Sequence, residues 1–72
     1  MSAADPDAAA ERIRKLIVTG DNRLKQGGGE RYAKARETFE QAQRLADEAG
    51  LGERFRPFIE QRLRNLDTLS SD

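Results

Sequence analysis

Tyr32-Ala33-Lys34-Ala35-Arg36-Glu37-Thr38-Phe39-Glu40-Gln41-Ala42 is the stretch whose reading decides the fold. Its apolar face runs Tyr32, Ala35, Phe39, Ala42, Ala46 and Ala49, in steps of 3, 4, 3, 4 and 3. That is the spacing of one side of an α-helix, whereas a strand would alternate every second residue. Alanine fills four of the six positions, so a neighbouring helix can come close, while Tyr32 and Phe39 fill the space at one end. Leu45 widens the stripe. Gly50 suits the left-handed position just past a helix, and Leu51 suits the apolar contact that follows it. A helix over about 30–49 is therefore expected.

Working outward, Asp5-Pro6 reads as a helix start. Aspartate is a good N-cap, and proline at the first helical position loses no hydrogen bond. Asp7 and Glu11 add negative charge near the positive end of the helix dipole. Ile13, Leu16, Ile17, Gly20 and Leu24 fall on one stripe, Lys25 sits in the last turn, and Gly27-Gly28-Gly29 ends the helix. A third helix is expected from between Gly52 and Arg56 to about Leu69, with Pro57 in or near its first turn. Phe55, Phe58, Ile59, Leu63, Leu66 and Leu69 form its apolar side. Arg56, Glu60 and Arg64 are spaced for i, i+4 pairing on the other. Short links favour antiparallel neighbours. The expected fold is all-α: a three-helix antiparallel bundle, with a helix hairpin (about 6–26 and 30–49) and a third, closing helix (about 53–69). Residues 1–72 form one domain, with 1–5 and 70–72 expected to fray.

Length and composition then narrow the function. A single core in 72 residues seldom supplies more than about 3–5 kcal/mol of net stability. The chain has no cysteine and no histidine, which removes disulfides and the best zinc, haem and copper ligands. Association is the reinforcement left open. Thirteen basic and thirteen acidic residues cancel, and they do so within each helix-sized segment. A nucleic-acid binder concentrates positive charge instead. Arg54, Arg56, Arg62 and Arg64 come nearest, but Glu53, Glu60 and Asp67 interrupt them. No apolar run approaches the ~20 residues of a membrane span, and Met1-Ser2-Ala3-Ala4-Asp5 lacks the pattern of a signal peptide. A cytoplasmic location is expected. The pairs Glu37/Glu40 and Asp47/Glu48 have the form of acid–base carboxylates but read better as solvated helix surface. Gly27-Gly28-Gly29 has neither the preceding strand nor the following Lys-Ser/Thr of a phosphate loop. No enzyme activity, cofactor or metal is expected.

From Leu16 to Asp47 the chain resembles one tetratricopeptide repeat, a helix–turn–helix motif of ~34 residues. Tyr32, Ala35, Phe39 and Ala42 match the second helix of that family. Gly20 matches its small first-helix residue, Leu16 the bulky residue four positions earlier, and Lys25-Gln26-Gly27 its Lys-Gln-Gly ending. The chain departs from the pattern in a longer turn before Tyr32, in Arg23 where the family has an aromatic, and in Asp47 where it has proline. The overall plan is also similar to the microtubule-interacting-and-transport domain, a single repeat plus a closing helix that docks partner helices between its own.

The resemblance implies a peptide-binding face on the first helix, at Arg14, Ile17, Asp21, Leu24 and Lys25. The carboxylate-clamping Lys and Asn of one chaperone-binding branch would fall at Ile17 and Asp21, and neither matches. Leu16, Gly20, Tyr32, Ala35, Phe39, Ala42, Ile59 and Leu66 are the expected core. A lone hairpin cannot bury both faces. Val18, Leu69 and whichever of Phe55 and Phe58 faces outward are thus expected near the surface for self-association. Arg62, set between Ile59 and Leu66, is expected to snorkel past the core or pair across an interface. The leading expectation is a protein-interaction module that binds a partner helix or peptide and forms a homodimer. A purely structural oligomerisation domain is the alternative, and a nucleic-acid-associated helical protein a weaker one.

Overall fold

The computed structural model describes residues 5–70, and of Pro6 and Ser70 only the backbone. The outermost residues expected to fray, 1–4 and 71–72, lie outside the described residues. Three helices follow in order: α1 (Pro6–Gln26), α2 (Arg31–Glu48) and α3 (Gly52–Ser70). There is no strand among the described residues. Asp5 does not fray: its carboxylate accepts the Asp7 N–H at 3.0 Å and caps α1. Ser70 likewise belongs to α3.

The α2–α3 link closes as a Schellman turn. Gly50 has φ 75°, the Leu51 N–H reaches the Ala46 carbonyl at 2.7 Å, and the Gly50 N–H reaches that of Asp47 at 3.2 Å. These two bonds satisfy carbonyls that a helix end leaves open. Helix α3 starts at Gly52, the earliest position expected, so Pro57 lies just past the first turn. The bond its missing N–H would have made to the Glu53 carbonyl is lost, on a side of the helix that faces water.

Helix α2 is the middle of the molecule, packed on both α1 and α3, while the α1 and α3 backbones barely approach each other. The core is one cluster: Ala10, Ile13 and Ile17 from α1; Ala35, Phe39, Ala42 and Ala46 from α2; Phe55, Ile59 and Leu66 from α3. Phe39 is its centre, fully buried. A Cβ placed on Gly20 would stand 2.5 Å from Phe39 Cε1, so α1 passes the ring at a distance only glycine allows. The small residues of α2, Ala35, Ala42 and Ala46, are buried in the same cluster.

The chain's principal extents are 46 × 20 × 12 Å. Helices α1 and α3 each pack on α2 while their backbones barely meet, which leaves the bundle open between its two outer helices.

Candidate interaction surfaces

The opening between α1 and α3 is bridged by long side chains. Arg62 Nε donates to the Asp21 carboxylate at 3.1 and 3.3 Å, and Arg62 Nη1 donates to the Phe58 carbonyl at 3.1 Å. One heptad earlier on both helices, the Arg14 guanidinium lies 6.0 Å from the Phe55 ring centroid. The pairs 14/55 and 21/62 advance together, so α1 and α3 run parallel, as two helices antiparallel to a common neighbour must.

These bridges show how the expected interface residues are distributed. Ile17 and Phe55 belong to the core, 8% and 5% exposed, so the outward-facing phenylalanine is Phe58. Leu24 and Leu16 are half-buried against that core. Arg14 and Lys25 are exposed, and Asp21 is half-buried in its pair with Arg62. Arg62 thus pairs within its own chain. Among the described residues the exposed large apolar side chains are Val18, Phe58 and Leu69, at 56%, 55% and 51%. Helical spacing puts Phe58, Arg62 and Leu69 on one stripe of α3, and Arg14, Val18, Asp21 and Lys25 on one stripe of α1. The Asp21–Arg62 pair joins the two stripes, so the exposed apolar residues border a single face.

A second surface lies on the other side of α1. Leu16 and Asp21 are about 140° apart around the helix. Leu16 and Leu45 contribute to a groove of about 510 Å³ between α1 and α2, edged by Arg12, Lys15, Arg44 and Glu48. Sequence periodicity put Leu16 and Leu45 on apolar stripes, but it cannot show that two stripes diverge and leave a groove.

Elsewhere the side chains serve the fold. Arg31 stacks over the Tyr32 ring at 4.7 Å, and its guanidinium donates to the Tyr32 hydroxyl and the Gly28 carbonyl, both at 3.1 Å. Arg36 and Asp67 pair α2 to α3. Thr38 is 7% exposed and its hydroxyl donates to the Lys34 carbonyl at 2.9 Å. Neither Thr38 nor Ala10 stood out in the sequence: a threonine can bury its hydroxyl by bonding back to its own helix, and an alanine looks alike inside and outside. Among the described residues no three acidic side chains gather where they could hold a metal ion, and no helix is long and apolar enough to cross a membrane.

No protein-family model matches the chain, and neither a curated protein nor a solved structure matches it. Its all-α, three-helix architecture is compatible with a bundle of the tetratricopeptide or microtubule-interacting-and-transport kind.

Proposed function

We propose that the chain is a non-enzymatic protein-interaction module, built as one tetratricopeptide-like hairpin with a closing helix. Its α1–α3 face docks a helix from another chain, of which a second copy is the simplest case. The observation that carries this reading is the exposure of Val18, Phe58 and Leu69 on one face. Three large apolar side chains spread along that face remain in water unless something covers them. The opened bundle supports the same reading, because a helix seated between α1 and α3 would pack on both, as a fourth helix does in a four-helix bundle.

Sedimentation equilibrium over a wide concentration range tests the homodimer. The wild-type chain is expected to associate, and Phe58→Ser with Leu69→Ser to stay monomeric with unchanged helicity. A wild-type chain that is monomeric throughout sinks self-association. Helix docking by a different protein then stands or falls on whether the same double substitution abolishes co-purification from the source lysate.

A further inference from the structure

We infer that the α1–α2 groove is a second docking surface, and that its partner is an acidic amphipathic helix anchored by aliphatic side chains. The inference is independent of the α1–α3 face, because the two lie on opposite sides of α1. It begins from charge. The chain as a whole is neutral, yet the groove sets three cations, Arg12, Lys15 and Arg44, against one anion, Glu48. Lys15 is loosely engaged by Glu11 at 3.9 Å, with both side chains mostly in water. Among the described residues Arg12 and Arg44 take part in no ion pair. Two guanidiniums from different helices thus edge one groove outside any ion pair, with Glu48 the one acidic side chain among its lining residues.

The groove also contains Leu16 and Leu45, both only partly buried although packed against the core. About 510 Å³ falls within the ~300–1,000 Å³ of ordinary ligand sites. It admits a few side chains and leaves the rest of a partner outside. An aliphatic anchor on Leu16 and Leu45, with carboxylates reaching up to Arg12 and Arg44, meets both requirements of the surface. The helix-in-groove mode supplies anchors at i and i+4 on one side and acidic residues beside them. Nucleic acid fits less well: it has no aliphatic anchor for the leucines, and three cations are few for a phosphate track.

The test is an amide chemical-shift titration of the full chain, held at a concentration where it does not self-associate. The probe is a short synthetic helix of leucine and glutamate with leucines spaced i, i+4. Its counterparts are the same helix with lysine for glutamate, and oligothymidylate. Shifts centred on Leu16, Thr19, Gln41 and Leu45 with the glutamate helix alone support the inference. So does a weakening of about tenfold or more, by loss of rim charge, in Arg12→Glu with Arg44→Glu, whose helicity is checked by circular dichroism. Should that variant unfold, Arg12→Gln with Arg44→Gln is expected to weaken binding in the same direction. No shifts, equal binding of the lysine helix, shifts centred on Val18 and Phe58, or preferential binding of oligothymidylate in the groove would each overturn it.

Discussion

Gly20 and Phe39 form the contact on which the hairpin closes. Alanine is ordinarily the better helix residue by about 1 kcal/mol, so an exposed Gly→Ala change would stabilise. At Gly20 the added methyl would meet a fully buried ring that would have to shift to admit it. Overpacking of that kind costs ~1–3 kcal/mol and outweighs the gain. Gly20→Ala is expected to lower the urea midpoint, and an unchanged or higher midpoint would show that the ring can step aside. Phe39→Ala is the converse case. A cavity costing ~3–5 kcal/mol matches the whole net stability expected of a domain this size, so the variant should lose its cooperative thermal transition. By contrast Asp21→Asn disturbs a pair that is about one-third exposed on each side. Its effect on stability should stay below ~1 kcal/mol, which a urea titration can resolve.

At the scale of the helices, the informative departures are at ends and breaks. The Asp5 cap of α1 and the glycine stop of α2 were both legible, because capping depends on short-range chemistry: one carboxylate within reach of an N–H, one residue free to take positive φ. The start of α3 was legible only as a range, Gly52 to Arg56. The Schellman turn at Gly50 and Leu51 selects Gly52 and leaves Pro57 one turn in. Pro57→Ala restores a donor to the Glu53 carbonyl and is expected to raise stability by ~1–2 kcal/mol, less than the ~3 kcal/mol of a helix centre because so little helix precedes it. A fall in melting temperature would show that the proline instead rigidifies the turn. Gly50→Ala should go the other way by about 1 kcal/mol, since φ 75° suits glycine and strains alanine. A Cβ there meets nothing within 4 Å, so the cost is conformational alone.

For the molecule as a whole, the decisive feature is that α2 is shared and α1 and α3 are not fully joined. The core lies along α2, and the outer helices meet through Arg62–Asp21 and Arg14–Phe55 rather than through packed backbones. A second chain covering this face would add stability by mass action. The wild-type melting temperature should therefore rise with protein concentration, and Phe58→Ser with Leu69→Ser should remove that rise. Concentration-independent melting of the wild type would argue against self-association.

Local information settled the helices, their caps and most of the core, because a 3.6-residue stripe, an N-cap and a positive-φ glycine each act within a turn or two. Which phenylalanine faces water, where Arg62 finds its carboxylate and where a groove opens were settled by the relative rotation of α1 and α3 about α2. That arrangement depends on contacts between residues far apart in the chain, such as Phe39 against Gly20. A single stripe cannot state the angle at which it will meet another. The tetratricopeptide-like pattern from Leu16 to Asp47 thus belongs to the sequence, while the open α1–α3 face and the basic groove behind it belong to the tertiary structure.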